Sequence, residues 1–230
     1  MGNKFVPEVT SVLRQDIVKV PEVIKDVSGI RVFGKRIKSI LFSTDIAIIY
    51  NTNADAVIAV YPFIPHPGIT KSIIEAANIP VFSGVGGGLT QGQRSVYMSL
   101  FAESQGSLAV VLNGPTPIET VQAVCKVVDI PVISTVTSIY TELDEKLAAG
   151  VKMINISAGK ETANTVRHFR TKYPDLPIIA TGGPTEELIR ETIEAGANAI
   201  TYTPPTNGKL FSKKMEKYRE TEKERYESEH

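Results

Sequence analysis

An internal repeat runs through most of the chain and narrows the folds open to it. Three apolar runs each follow a proline, and the prolines are 51 and 46 residues apart. Three further apolar runs alternate with these and follow a glycine, at spacings of 44 and 46 residues. The positions are Pro80, Pro131 and Pro177 for the first series and Gly106, Gly150 and Gly196 for the second. Proline is tolerated at the start of a strand, and glycine commonly ends a helix, so each period holds two strand–helix units.

This periodicity predicts eight strands. They cover approximately Ser39–Ser43, Ala56–Tyr61, Val81–Ser83, Ala109–Asn113, Val132–Thr135, Met153–Ser157, Ile178–Thr181 and Ala199–Thr203. The runs are short, β-branched and almost continuously apolar, as in strands that are buried on both faces. Strict alternation of strand and helix implies a parallel sheet with right-handed crossovers. We therefore predict an α/β fold, a single-domain (β/α)8 TIM barrel, with an open doubly wound sheet as the alternative.

The two ends of the chain fall outside this repeat. Residues 1–37 are predicted to be an N-terminal helical extension, with a helix from about Val6 to Asp26 that covers the bottom of the barrel or packs beside it. The barrel is predicted to span residues 38–218, because apolar residues at helical spacing continue to Tyr218. Residues 219–230 form a charged tail that either extends this last helix or is disordered.

Composition excludes several functional classes. The chain has 25 Lys and Arg residues and 25 Asp and Glu residues, so no net charge favours nucleic acid or an anionic membrane. No apolar run is long enough to span a bilayer. A single cysteine, Cys125, excludes an internal disulfide and any multi-cysteine metal site. We expect a cytoplasmic protein with a small-molecule ligand, no cofactor and no metal. Apolar residues near the N-terminus, such as Phe5 and Val9, leave a homo-oligomer open.

In barrels the working surface lies on the loops that follow the strands. After the third predicted strand the chain is rich in glycine, which lets backbone N–H groups approach an anion. The residues predicted to contact a ligand here, and at the ends of the fourth and sixth strands, are Gly86, Gly87, Gly88, Thr90, Arg94, Asn113, Asn155 and Ser157. The alternative for the glycine-rich loop is a tight connection with no ligand.

The stretch from Pro177 to Thr185, followed by residues 194–200, resembles the last quarter of the phosphate-binding TIM barrels. This group includes indole-glycerol-phosphate synthase, keto-deoxy-phosphogluconate aldolase and thiamine-phosphate synthase. The resemblance implies that the backbone N–H groups of Gly182 and Gly183 hold a phosphate, with Thr181 and Thr203 beside them. Those barrels usually place a second Gly-Ser or Gly-Thr pair after strand eight. Here two prolines follow Thr203 and supply no N–H, so Asn207-Gly208 would have to substitute.

The segment from Gly150 to Gly159 also resembles strand six of the deoxyribose-phosphate type of class I aldolase. In that family a lysine within the strand forms a Schiff base with the substrate. The matching residue here is Asn155, which cannot form an imine. Lys160, in the loop that follows, is therefore the remaining candidate for this chemistry.

Ionisable groups at the predicted strand ends are few. Asp45, His66 and Lys160 are the predicted catalytic residues, although Asp45 is equally suited to cap the helix that follows it. Two functions stay open: an enzyme that acts on a small phosphorylated metabolite as a lyase, isomerase or hydrolase, and a barrel that binds such a metabolite and regulates without turnover. Convergence of the three side chains on one pocket would favour the enzyme.

Overall fold

The structure, a computed structural model, describes residues 5, 7, 9–12, 15–86 and 90–230. The described strands are β1 (Ile30–Val32), β2 (Lys35–Ile37), β3 (Ser39–Phe42), β4 (Ala56–Ala59), β5 (Val81–Gly86), β6 (Ala109–Leu112), β7 (Val132–Val136), β8 (Met153–Ile156), β9 (Ile178–Thr181) and β10 (Ala199–Tyr202). The described α-helices are α1 (Ile46–Tyr50), α2 (Pro67–Ala76), α3 (Gln93–Ser104), α4 (Ile118–Val127), α5 (Asp144–Ala148), α6 (Thr162–Lys172), α7 (Glu186–Glu194) and α8 (Asn207–Glu229).

Strands β3 to β10 form a closed parallel barrel. Each strand pairs with the next along the chain, and the ring closes where β10 pairs with β3, with Ile200 opposite Ser39. The predicted (β/α)8 barrel is therefore confirmed, and the open sheet is excluded. The eight predicted strands match the observed ones to within two residues at each end, except that β5 continues to Gly86 through an irregular register.

Side chains on alternate strand positions divide the core into two layers. Ile40, Phe82, Ile133, Met153 and Ile179 belong to one buried cluster, which fills the inside of the barrel. The intervening strand residues belong to the clusters that pack against the surrounding helices. This alternation identifies which residue at each strand end points inward, toward the mouth of the barrel.

The helix predicted over Val6 to Asp26 is wrong for its described part from residue 15 onward. Residues 15–21 are not helical, and only Glu22–Asp26 forms a short 3-10 helix. The backbone N–H of Val18 donates to Asn51 O at 2.9 Å, which holds this segment extended along the barrel. Pro21 then has no N–H to continue a helix from the preceding turn. In the first part of the predicted helix, residues 7 and 9–11 are not helical either, and residues 6, 8, 13 and 14 lie outside the described ranges.

A hairpin that the sequence analysis missed covers the N-terminal end of the barrel. β1 and β2 pair in antiparallel fashion, with Ile30 opposite Ile37. The turn between them has positive φ at both Phe33 (46°) and Gly34 (82°). Ile30, Val32 and Ile37 are buried in the same cluster as the residues inside the barrel. The hairpin therefore closes the bottom of the barrel and leaves its opposite end as the open mouth.

The last helix, α8, has 23 residues and includes the predicted charged tail. None of its residues is buried, and its second half carries ion pairs one turn apart, such as Lys223 with Glu227 and Arg225 with Glu229. Such pairs stabilise an exposed helix by a few tenths of a kcal/mol each, about 0.3–0.5. Across the described ranges, no helix combines the length and apolarity needed to cross a membrane.

Candidate functional site

A cavity of about 610 Å³ opens at the mouth, on the side formed by β3, β4, β6 and β10. The residues that line it lie at the ends of these strands, in the loops that follow them and in α1: Phe42, Ser43, Thr44, Asp45, Ile48, Val60, Tyr61, Pro62, Asn113, Thr203, Pro204, Pro205 and Thr206. A narrow cleft continues from it along Tyr61 and Asn113 toward Gly84 and Gly86. The volume and the mixture of apolar walls with a few polar groups fit a small-molecule site.

Asp45 is the predicted catalytic residue that lines this cavity. Its Oδ1 accepts hydrogen bonds from the N–H groups of Ala47 (2.9 Å) and Ile48 (3.3 Å), so the carboxylate caps α1. Its own N–H donates to Ser43 Oγ at 3.1 Å. The capping role predicted from the sequence is therefore confirmed, and the cap fixes the carboxylate at the rim, with part of its surface open to the cavity.

His66 also acts as a helix cap. Its Nδ1 accepts from the N–H of Gly68 at 3.1 Å at the start of α2, and its backbone N–H donates to Tyr61 Oη at 2.9 Å. The imidazole is exposed and is not part of the cavity wall. His66 thus contributes to the site through its backbone, which holds the hydroxyl of Tyr61, a residue that the sequence analysis placed only at a strand end.

Lys160, Asn155 and Ser157 lie around β8, outside the walls of the mouth cavity. Lys160 is exposed in the 3-10 turn Gly159–Glu161, and Ser157 is exposed at the strand end. The structure therefore does not bring Asp45, His66 and Lys160 together on one cavity. That convergence could not be judged from sequence, because it depends on which sector of the rim the loops leave open.

The glycine-rich loop after β5 is partly described. A Cβ on Gly86 would collide with Ser95 Oγ and would lie 2.7 Å from Thr90 O, so close packing alone requires glycine there. Thr90 is buried, with its carbonyl accepting from Ser95 Oγ at 3.1 Å, whereas Arg94 is exposed on the first turn of α3. Gly87 and Gly88 lie outside the described residues. Of this predicted group, Gly86 lines the narrow cleft beside the mouth cavity.

The loop after β9 is poorly arranged for the phosphate that the resemblance implies. The N–H of Gly182 donates to Thr201 O at 3.2 Å, so it is already used within the barrel. Gly183 is exposed with φ of 84°, but the helix that follows, α7, carries Glu186 and Glu187 in its first turn. Two carboxylates at a helix N-terminus occupy the position where the helix dipole would favour a bound anion.

The N-terminus of α8 offers a better anion site at the same mouth. Thr206 caps this helix, accepting from Lys209 N at 3.4 Å, and lines the mouth cavity with Thr203. The first turn of α8 contains no acidic residue. Asn207-Gly208 therefore stands where the sequence analysis required a substitute for the missing Gly-Ser pair, because the chain after Pro205 turns directly into a helix.

Two polar side chains inside the barrel have no hydrogen-bond partner. The Oδ1 of Asn155 and the Oγ1 of Thr201 are buried without a partner among the described residues. Both side chains point inward, since each is two residues along its strand from a member of the interior cluster, Met153 on β8 and Ala199 on β10. Buried polar atoms are normally paired, so these two mark the polar floor beneath the mouth. Asn155 was predicted as a ligand contact, and Thr201 was missed because it lies within an apolar run.

Lys146 is a further buried cation that the sequence analysis missed, since α5 gives it no distinctive motif. It is 8% exposed, and its Nζ donates to Gly114 O at 3.4 Å, just after β6. Burial lowers the pKa of Lys146. Lys146 therefore supports the loop that carries Asn113 at the rim, without lining the mouth cavity itself. Within the described ranges, no three His, Cys, Asp or Glu side chains are grouped so that they could hold a metal ion.

Comparison with known proteins supports the fold. The sequence matches no protein-family model and no curated protein sequence. Among solved structures, a phosphonopyruvate hydrolase in complex with oxalate and Mg²⁺ superposes with a TM-score of 0.61 at 14% identity, over 86% of this chain and 85% of that one. The phosphoenolpyruvate phosphomutase from Streptomyces platensis subsp. rosaceus gives 0.61 at 14% identity, over 87% and 84%.

A third solved structure, an aldolase named QR15, gives a TM-score of 0.55 at 18% identity, over 77% of this chain and 91% of that one. At these identities the likeness shows the architecture and not the activity. The chain therefore shares the (β/α)8 barrel fold of these three solved structures.

Proposed function

We propose that the protein is an enzyme that acts on a small phosphorylated metabolite at the barrel mouth, as a lyase, isomerase or hydrolase. The observation that carries the proposal is the mouth cavity, which joins the carboxylate of Asp45 to the N-terminus of α8. One end of the cavity suits an anion, and the other offers a group that can transfer a proton. The enzymatic names of the similar solved structures are consistent with this.

In this proposal the phosphate lies at the N-terminus of α8. The backbone N–H groups of Asn207 and Gly208 precede the first internally bonded N–H of the helix, and the hydroxyl of Thr203 lies on the same wall. Thr181 and Gly183, at the end of the neighbouring strand β9, are secondary contacts of the phosphate in this proposal. The reacting part of the substrate then lies near Asp45, Tyr61 and Asn113, with Asp45 as general acid or base. His66 and Lys160 stay predictions as catalytic groups.

The phosphate position is tested with Gly208→Asp, and Gly208→Asn serves as the neutral control. A Cβ at this position meets no neighbour within 4 Å, and an Asp in the first turn favours the helix. We expect calorimetric binding of inorganic phosphate to weaken about tenfold or more in Gly208→Asp and to persist in Gly208→Asn. If Gly183→Asp abolishes binding while Gly208→Asp does not, the phosphate lies at the loop after β9 and our placement is wrong.

A non-catalytic, metabolite-binding regulator is the second function, favoured by the use of both Asp45 and His66 as helix caps. Asp45→Asn separates the two, since Asn caps a helix as well as Asp but cannot transfer the proton. Once a panel of phosphorylated metabolites has given a ligand by thermal shift, the enzyme proposal expects turnover to fall about 10²- to 10⁴-fold in Asp45→Asn while ligand affinity is kept. A ligand that binds the wild-type protein tightly and is never converted would favour the regulator.

A further inference from the structure

A second cavity, of about 470 Å³, lies on the side of the barrel between α1 and α8. We call it the side groove. Its walls come from residues 16–19, from α1 and from the first two turns of α8. The apolar part of the wall is formed by Ile17, Val18, Ala47, Ile48, Leu210 and Phe211, and the polar part by Asp16, Lys19, Asn51, Asn207 and Lys214. Phe211 is 64% exposed although it lies on the helix face that borders the barrel wall.

The groove exists because the two helices that flank the seam between β10 and β3 differ in length. α1 has five residues and is about 7.5 Å long, whereas α8 has 23 and is about 34 Å long. A helix as short as α1 cannot cover the wall that α8 runs along. The polypeptide at residues 16–19 crosses the remaining space without filling it.

The side groove adjoins the mouth cavity. Ile48 and Pro205 line both cavities, so the two cavities lie next to each other at these residues. The N-terminus of α8, where we place the phosphate, stands at this junction, because Asn207 lines the groove and Thr206 lines the mouth. A polar head and an apolar tail would therefore lie on either side of one helix end.

The outer side of the groove can open at little cost. Asp16 and Lys214, which belong to opposite walls, form an ion pair between exposed side chains. Exposed ion pairs contribute between about 0 and 1 kcal/mol, so parting this one is not a barrier to entry. The segment itself stays attached, because Val18 is held by the backbone of Asn51 and its carbonyl accepts from Thr52 Oγ1 at 3.0 Å.

We propose that the side groove binds the apolar tail of the substrate, so that the substrate class is a phosphate monoester of an extended apolar chain. The inference rests on the proposed function for the position of the phosphate. The tail is the occupant that the geometry favours, since the groove shares two wall residues with the ligand cavity and has Leu210 and Phe211 in its wall. A contact with a second copy of the chain would not require the groove to adjoin the ligand cavity.

A series of n-alkyl phosphates, from methyl to octyl, tests the proposal by calorimetry on the full chain. Burial of each methylene is worth about a fourfold gain in affinity, so the dissociation constant should fall by roughly two- to fourfold per carbon until the groove is filled. Ala47→Trp, which blocks the groove without entering the mouth cavity, should remove this dependence and leave methyl phosphate binding unchanged. Thr171→Trp, at an exposed position of α6, is the matched control and should retain it.

The outcomes separate this inference from the proposed function. Binding of methyl phosphate with no gain along the series overturns the groove and leaves the phosphate site standing. Binding of 1-octanol that Ala47→Trp abolishes, without binding of any phosphate, shows an apolar ligand site in the groove but overturns both the proposed function and the phosphate monoester as substrate class. Phe211→Ser removes an exposed side chain from the wall and should weaken octyl phosphate alone. If Phe211→Ser instead turns a dimer into a monomer in light scattering, with the chain-length dependence unchanged, the groove is a subunit contact and the proposal is wrong.

Discussion

Replacing Gly182 with alanine should destabilise the barrel through packing, not through loss of a ligand contact. A Cβ at this position would lie 2.7 Å from Ile200 Cγ2 and 2.8 Å from Ile189 Cγ1. Carbon atoms pack at about 3.5–4.0 Å, so both isoleucines would have to move by nearly 1 Å. Neither can do so easily, since Ile200 is 0% and Ile189 3% exposed, and β-branched side chains have few rotamers.

Overpacking of this kind costs about 1–3 kcal/mol. For a chain of this size each kcal/mol lowers the melting temperature by about 2–4 °C, so Gly182→Ala should melt about 2–12 °C below the wild type. Gly208→Ala is the matched control: its Cβ meets nothing within 4 Å, and alanine favours the helix, so it should melt at or slightly above the wild type. Differential scanning calorimetry measures both.

The reasoning fails if Gly182→Ala melts with the wild type and loses affinity for inorganic phosphate. That result would mean that the strand end accommodates the methyl group and that the backbone of Gly182 contacts the anion directly, as the resemblance to phosphate-binding barrels implied.

Two further variants test the supports of the rim and the base. Burial lowers the pKa of Lys146, so its proton is held less tightly in the folded chain, and stability should rise with pH from that lowered pKa up to the ordinary 10.5. Lys146→Met should therefore stabilise the fold by about 1 kcal/mol at pH 7, which raises the melting temperature by about 2–4 °C, and the gain should be smaller at pH 10. A melting temperature well below that of the wild type at pH 7 would show that the ammonium group is needed for stability. Asn198 accepts from Ile178 N at 2.9 Å and from Arg170 at 2.6 Å through Oδ1, so Asn198→Ala should cost about 1–3 kcal/mol in urea unfolding, whereas Asn198→Asp keeps the acceptor. Equal stability of the two variants would contradict this role.

The barrel could be predicted from sequence because its signals are local and repeated. Pro80, Pro131 and Pro177 each mark a strand start, and glycines such as Gly150 and Gly196 end the helices before the strands between them. Each strand–helix unit repeats the same short-range pattern, so a misplaced boundary in one unit does not change the predicted number of strands.

The hairpin at the base could not be predicted in the same way. Its turn places Phe33 at positive φ before Gly34, a position that asparagine or aspartate would normally mark. Phenylalanine does not mark a turn in this way, so the sequence predicts that this segment belongs to a helical extension. The apolar residues of the hairpin are ordinary in sequence, and their burial depends on a barrel interior formed by distant strands.

The candidate site was predicted in part. Sequence placed Asp45, Asn113 and Thr203 at strand ends, and the structure sets all three on the mouth cavity. It could not show that Lys160 lies on the other side of the rim, because the position of the cavity depends on the length of α1 and on the turn of the chain into α8. It also could not show that Gly182 N–H is already bonded, since its partner, Thr201, belongs to another strand.

The ring closes between strands from opposite ends of the repeat. Seven of its strand pairs join neighbours in sequence, but β10 meets β3, and the bond from Asn198 Nδ2 to Ser28 Oγ just below that seam joins residues 170 positions apart. Closing so long a loop costs more chain entropy than pairing any two consecutive strands of the barrel, so this seam should form last as the chain folds and part first as it unfolds. Joining residue 1 to residue 230 and cutting the chain between two other strands would move that late step to the new opening.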